Sequence, residues 1–278
     1  MKEIPHIVIE NSTKSVFNFK EFIRYKDLLY FMVLRDVTVM YKQSVLGFAW
    51  AFINPVFSMV VFSVVFGKLA NVPHDEIPYP IFSYTALIPW TYFSTALASS
   101  SNSLIGNATI FTKVYFPRLI IPLTPIMSKL VDFSISFILL VAMMMYYNYY
   151  PTIKILFLPL FIVIMILTTI GLGTFFSALA LQFRDIRFAI TFLMPLLMYA
   201  APVVFPASLI KEKFGDIAYS CYGLYPMTGV IEGFRAAIVP NKPMPWDLIL
   251  MSSLGALVIF VIGISTFKQM ENKFADVA

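Results

Sequence analysis

A chain of 278 residues that is 59% hydrophobic and only 13% charged, with a formal charge of +5, is not an ordinary soluble domain, where about a quarter of the residues are charged. Its mean hydropathy is +0.82, and its apolar residues gather into several long stretches, so the expected fold class is an all-α polytopic membrane protein. The 17% of aromatic residues and the 18 prolines suit that class, because aromatics anchor at membrane interfaces and proline is tolerated in spanning helices. A single cysteine, Cys221, excludes an internal disulfide and a multi-cysteine metal site. The two histidines, His6 and His74, fall outside the apolar stretches, so no metal and no cofactor is expected in this chain. The positive charge is read by its position relative to the membrane, and no nucleic acid partner is expected.

The N-terminal run MKEIPHIVIENSTK carries acidic residues and no apolar core before a small-residue cleavage site, so it is not expected to be a signal peptide. Residues 20–42 follow as an amphipathic helix. Phe22, Leu29, Val33, Val37 and Met40 share a narrow arc at 100° per residue, while Lys20, Glu21, Arg24, Asp27, Arg35 and Lys42 gather opposite. Lys26 and Asp36 break the pattern. Such a helix lies in a membrane interface or packs on a soluble partner; here it runs into the first apolar stretch through Gly47, which favours the interface.

A spanning helix needs about 20 apolar residues, and six stretches qualify: 48–69, 81–101, 119–147, 155–181, 188–206 and 246–267. The fifth carries Pro195, Pro202 and Pro206, which predicts a kink or an early end. The chain thus divides into a cytoplasmic N-terminal segment, 1–47, a six-span domain, 48–267, and a cytoplasmic tail, 268–278. Six spans place both termini on one side. With the N-terminus inside, the inner segments hold thirteen Lys and Arg and the outer ones six, a bias that puts both termini in the cytoplasm.

Two connections are unusual. The inner one, 102–118, reads NSLIGNATIFTKVYFPR, basic and without an acid. Leu104, Ile105, Ile110 and Phe111 could form one side of a short helix that Pro117 stops; the segment is either a plain positive turn or a docking surface for a soluble partner. The outer one, 207–245, is too long for a turn and too apolar for a hydrated linker. Two helical pieces, 209–222 and 227–238, broken at Gly223 and Pro226, make it a hairpin partly embedded in the outer leaflet. Glu232 and Arg235 sit three apart on its second piece and can pair, holding the hairpin or touching substrate.

Within the third span, Lys129 and Asp132 form a second pair three residues apart. Intramembrane charge points to function by default, but an intrahelical pair near the inner boundary is the plainer reading. An unpaired mid-span carboxylate, which ion coupling would use, is missing. The sequence QFRDIR (182–187) reads as a tight inner turn whose charges cap helix ends. There is no GxxxxGK[ST], HExxH or GxSxG; Gly67-Lys68 lacks the remaining phosphate-loop residues, and Asp75-Glu76 is isolated from other acids.

The stretch LRDVTVMYKQSVLGFAWAFINP (34–55) resembles the start of the transmembrane subunit of type 2 ABC exporters, in the branch that exports O-antigen, capsule or teichoic-acid glycans. Arg35, Asp36, Tyr41, Lys42, Ser44, Leu46, Gly47, Trp50 and Pro55 carry the resemblance. YPMTGVIEGFR (225–235) looks like the family's outer hairpin motif, with Tyr225 where an asparagine is usual. The resemblance implies a non-catalytic permease in the bacterial inner (plasma) membrane. Its partners would be a second copy of itself, two copies of a separate P-loop ATPase that holds ATP and Mg, membrane lipid, and a polyprenyl-diphosphate-linked glycan. It also implies that Arg24, Asp27, Ile105, Phe111, Lys113 and Tyr115 couple to the ATPase. Arg35, Tyr41, Lys42 and Arg118 are candidates for an inner gate and for headgroup phosphates, with Lys113 as a further basic group. Trp50, Phe52, Trp90, Tyr92, Phe93 and Tyr199 are candidates for the translocation path, with Tyr225, Glu232 and Arg235 in the outer hairpin. A small-drug or lipid permease of the same type and an integral membrane transferase acting on lipid-linked glycans are the competing readings.

Overall fold

The computed structural model describes residues 23–42, 49–70, 72, 77–111, 114–150, 152–240, 242–271 and 274. Among them there are helices and turns and no strand. Helix α1 covers Lys26–Lys42. Helix α2, Trp50–Phe62, runs on as a π-helix over Ser63–Leu69. Helix α3 is Tyr79–Gly106 and the short α4 is Ala108–Phe111. Helix α5 spans Ile120–Tyr146; a 3₁₀ turn, Ile153–Phe157, leads into α6, Leu158–Gln182. Helix α7 is Asp185–Ala200, α8 Ser208–Gly223, α9 Pro226–Ile238 and α10 Trp246–Glu271.

Four of these stretches are long and apolar enough to cross a membrane: Phe52–Leu69, Ile120–Tyr146, Ile153–Gln182 and Trp246–Glu271. They match the first, third, fourth and sixth predicted spans. Helix α3 has 28 residues, about 42 Å of rise, but Ser, Thr and Asn interrupt its apolar run. Most of their hydroxyls bond within their own helix. Thr85 donates to the carbonyl of Ile81, Thr95 to that of Thr91 and Ser101 to that of Leu97, each at 2.7 Å, so polar side chains are closed onto their own helix. The predicted fifth span is shorter than expected: α7 has 16 residues, about 24 Å. It stops at Ala200 because Pro202 and Pro206 lack amide protons, and because the Val203 and Phe205 carbonyls are taken by Arg235.

Helix α3 forms the centre, against α5, α6 and α9, while α6 and α10 form the most extensive helix pair. Without a hydrophobic gain from leaving lipid, such pairs rely on close approach of small residues. Gly263 of α10 lies against the backbone of Gly171 in α6: a Cβ there would stand 1.9 Å from the Gly171 carbonyl oxygen. Gly173, two residues on and on another face of α6, meets Ser100 of α3. Three side chains tie α3 to α5: Tyr84 to the Ser136 carbonyl (3.1 Å), Tyr92 to that of Ile126 (3.1 Å) and Ser100 to that of Pro122 (2.9 Å).

The predicted inner connection differs in one respect. Leu104 and Ile105 belong to the last turn of α3, and Leu104 is fully buried, so only the part beyond Asn107 leaves the bundle. The two outer helical pieces begin and end within a residue of expectation. Helix α8 bends at Gly215, whose φ of 82° is in the left-handed region that glycine adopts without steric cost.

Candidate functional site

Two polar networks occupy opposite ends of the bundle. At the end where α1, the close of α3 and the end of α10 meet, the α1 face formed by Leu29, Met32, Val33, Val37 and Met40 packs mainly on α5. Asp36, which breaks the amphipathic pattern, lies on this face because it has a partner: its Oδ1 accepts from Arg35 Nε (3.1 Å) and Nη2 (2.8 Å). Arg35 Nη2 also reaches Asn107 Oδ1 at 3.5 Å. One turn further, the Tyr41 hydroxyl donates to Asp132 Oδ1. Lys129 Nζ donates to Asp132 Oδ2 at 2.9 Å and approaches Met40 Sδ at 3.4 Å. The Lys129–Asp132 pair is therefore not closed within α5; Asp132 is also the anchor of α1. Burial, and then the adjacent Asp132, push the Tyr41 phenol well above its ordinary pKa, which keeps it a donor at physiological pH.

Between α1, α3 and α5 these residues border a cleft of about 520 Å³. Arg35 and Lys129 line it together with Ser99, Asn102, Asn107 and Ser128. Arg118 is placed elsewhere. Its Nη1 donates to the Glu271 carbonyl and its guanidinium stands 5.9 Å from the Phe274 ring, so it ties the inner connection to the C-terminal end of α10, where helix dipoles favour a cation.

Among the coupling candidates, Arg24, Asp27 and Tyr115 are exposed, the last at 66%, and Ile105 is half-buried. Phe111 ends α4. Lys113 lies outside the described residues, as do Gly47, Ser44, Leu46, Lys20, Glu21, Phe22, His6, His74, Asp75, Glu76 and most of the C-terminal tail. Lys42 is exposed at the end of α1.

The path candidates divide. Trp50, Phe52 and Tyr199 are exposed, at 46%, 37% and 54%. Trp90, Tyr92 and Phe93 are instead buried in the subunit's own core, and Tyr92 hydrogen-bonds α5. At the QFRDIR turn Asp185 opens α7 where the dipole favours an acid, but makes no side-chain cap.

At the opposite end, the Glu232–Arg235 pair exists, at 2.8 Å, inside the protein. Arg235 is completely buried and Glu232 is 4% exposed. Arg235 stacks over the Phe82 ring at 3.7 Å and donates to the carbonyls of Val203 (2.9 Å) and Phe205 (3.4 Å). Glu232 accepts from the Ala207 amide (3.0 Å) and Lys242 (2.8 Å). Burial opposes its charge, yet Arg235, Lys242 and the Ala207 amide together hold its carboxyl below the ordinary range. The pair is a tie between α9 and the turn that ends α7; it does not snorkel at a boundary, and no substrate can touch Arg235 here. Sequence reading missed Lys242 as its third member, since nothing in the spacing of residues 232 and 242 signals contact across the α9–α10 connection. Tyr225 precedes α9, half-buried, with its hydroxyl inside and without a hydrogen-bond partner among the described residues.

The family model described as ABC-2 type transporter matches residues 27–239, a range that runs from α1 through both networks to the end of α9. The O-antigen export system permease protein RfbA of Myxococcus xanthus is 26% identical over 92% of this chain and 97% of its own length. A Klebsiella pneumoniae protein of the same name is 29% identical over 90% of this chain and 95% of its own. The polysialic acid transport protein KpsM of Escherichia coli is 22% identical, covering 87% and 92%. Two of these relatives are named as permeases and the third as a transport protein, none as a catalyst. With its apolar helices and its matched range, the chain belongs to the ABC-2 type transporter family and is an integral membrane, non-catalytic transport subunit.

Proposed function

We propose that this permease exports a lipid-linked polysaccharide from the cytoplasmic side outward across the bacterial inner membrane, driven by ATP hydrolysis in a separate subunit. The observation that carries this reading is the near end-to-end similarity to O-antigen export permeases, which runs through both α1 and the outer hairpin. The working unit is two copies of this chain with two copies of a P-loop ATPase that holds ATP and Mg. Six crossings, with both termini cytoplasmic, use α2, α3, α5, α6, α7 with its following turn, and α10. The position of α1 and the end of α10 at one end of the bundle supports that arrangement.

In this reading the ATPase bears on the exposed residues of α1 and on the 107–116 segment. Because Tyr41 and Asp132 join α1 to α5, a displacement of α1 is passed to a long helix of the bundle rather than lost at the surface. A ligand-driven shift can be no larger than the difference in affinity for the two states, so the ATPase must hold α1 differently before and after hydrolysis. Trp50, Phe52 and Tyr199 are the aromatic faces left to meet a sliding glycan.

The test is purification of the tagged chain from its host in mild detergent. An equimolar ATPase is expected to come with it, and the triple variant Phe111→Ala, Lys113→Ala, Tyr115→Ala is expected to lose at least about tenfold of that ATPase, as removal of a docking centre does. A folded, monodisperse chain that emerges alone from the wild type would contradict the reading.

A further inference from the structure

The inner cleft combines two chemistries that few ligands share. Its cations are each held by a carboxylate yet keep donors in reserve. Arg35 uses Nε and Nη2 on Asp36 and Asn107, and its Nη1 makes no hydrogen bond among the described residues. Lys129 has three N–H groups, and uses them on Asp132 and on a thioether, a weak acceptor. The walls add uncharged polar groups. Asn102 donates its amide to the Ala98 carbonyl (2.9 Å), Asn107 to that of Ser103 (2.8 Å), and the Ser128 hydroxyl to that of Pro125 (3.1 Å). Each asparagine amide keeps a second N–H, and Asn102 Oδ1 and the Ser128 oxygen keep lone pairs, so these uncharged side chains both donate to and accept from hydroxyl groups; Asn107 Oδ1 already accepts from Arg35. The Ser99 hydroxyl has no partner among the described residues.

Cations with spare donors suit a phosphate, and Arg and Lys bind phosphate oxygens through charge-assisted hydrogen bonds. Uncharged groups that donate and accept suit a polyol. A phosphate alone would leave these groups unused, and a neutral sugar would leave the cations unused. The cleft's 520 Å³ falls in the range of about 300–1,000 Å³ typical of small-molecule sites, enough for a sugar and its phosphate.

We propose that this cleft holds the first sugar and the attached phosphate of a lipid-linked glycan, with Arg35 and Lys129 on the phosphate and Ser99, Asn102, Asn107 and Ser128 on the sugar hydroxyls. The assignment rests on the exporter reading above and makes it more specific: the headgroup site lies beneath α1, against α3 and α5. Arg118, engaged with the end of α10, is not part of it. A ligand in the cleft touches Arg35 of α1 directly, so occupancy at this site is felt by the helix that meets the ATPase.

The experiment is equilibrium binding to the permease–ATPase complex in phosphatidylcholine nanodiscs, with a fluorescent polyprenyl-diphosphate-linked disaccharide as probe. Lys129→Gln is expected to raise Kd about tenfold, the loss of one charge-assisted hydrogen bond. Because that change also releases Asp132, Ser99→Leu is the second variant: it touches no ion pair, fills the cleft and is expected to raise Kd at least as much. Lys211→Gln, on α8 at the other end, is expected to leave Kd unchanged. Sugar-free polyprenyl diphosphate should bind more weakly than the probe, inorganic diphosphate should compete only at high concentration, and phosphatidylglycerol should not displace the probe. Wild-type binding by a folded Ser99→Leu complex, or displacement by phosphatidylglycerol, overturns the cleft assignment alone. Failure of every form, wild type included, to bind the lipid-linked sugar overturns the exporter's substrate as well.

Discussion

Gly263→Val is expected to be the most damaging single methyl-scale change in this protein. A Cβ at residue 263 would lie 1.9 Å from the Gly171 carbonyl oxygen and 2.6 Å from its carbon. Reciprocally, a Cβ on Gly171 would lie 2.7 Å from the Ile259 carbonyl and the Phe260 Cα. Every obstructing atom is backbone, so no rotamer relieves the clash, and α6 and α10 must separate along the most extensive helix contact in the bundle. Overpacking of ordinary cores costs about 1–3 kcal/mol; a backbone-to-backbone block belongs at or above the upper end. At a few degrees per kcal/mol for a chain of this size, Tm in detergent should fall by roughly 10 °C. Gly106→Ala is the control. Nothing lies within 4 Å of its added methyl, so its Tm should stay near that of the parent. An unchanged Tm for Gly263→Val would mean that the two helices do not cross at these glycines.

Arg235→Met should come next. Removing one partner of a buried ion pair typically costs about 3–5 kcal/mol; Glu232 keeps Lys242 and the Ala207 amide, which places the expected loss at the lower end of that range. Here the loss also strips donors from the Val203 and Phe205 carbonyls and the cation from the Phe82 face. The turn after α7 should loosen, because those carbonyls lose their side-chain donor. Replacing both charges, as Glu232→Leu with Arg235→Met, should cost less than the sum of the two single changes, since both singles remove the same 2.8 Å pair. Thermal unfolding of the four forms measures this coupling directly. Additive losses would show that Glu232 and Arg235 act separately, and would reopen a role for Arg235 outside the fold.

These two sites differ in how far sequence foretold them. The Glu232–Arg235 pair was visible in its i, i+3 spacing, but its burial was not, because that depends on the 201–207 turn and Lys242 closing over it. The Gly171–Gly263 crossing leaves no local mark at all: a single glycine in an apolar helix becomes informative only when the opposing helix is known. Helices α5, α6 and α10 were legible because lipid demands uninterrupted apolar length. Helix α3 was legible in extent but not in centrality, since serine and threonine hydroxyls bonded to their own backbone look polar in sequence and behave as filler in the structure. Asp36 seemed an error in the amphipathic pattern of α1; it sits on the packed face because Arg35 neutralises it. Composition does not sort the path aromatics. Trp90, Tyr92 and Phe93 have the same composition signature as Trp50, Phe52 and Tyr199, and only packing separates rings that fill the core from rings left facing outward.

The account turns on ATP-driven movement of a lipid-linked glycan, and the most direct measurement is translocation by the permease and its ATPase in sealed proteoliposomes. The probe is a labelled polyprenyl-linked glycan offered from the ATPase side, scored by its exposure to a glycosidase enclosed on the other side. ATP should produce exposure that grows with time, and an ATPase unable to hydrolyse ATP should reduce it to the passive background. Equal exposure with and without hydrolysis, or none from a fully assembled complex that hydrolyses ATP, would contradict the account.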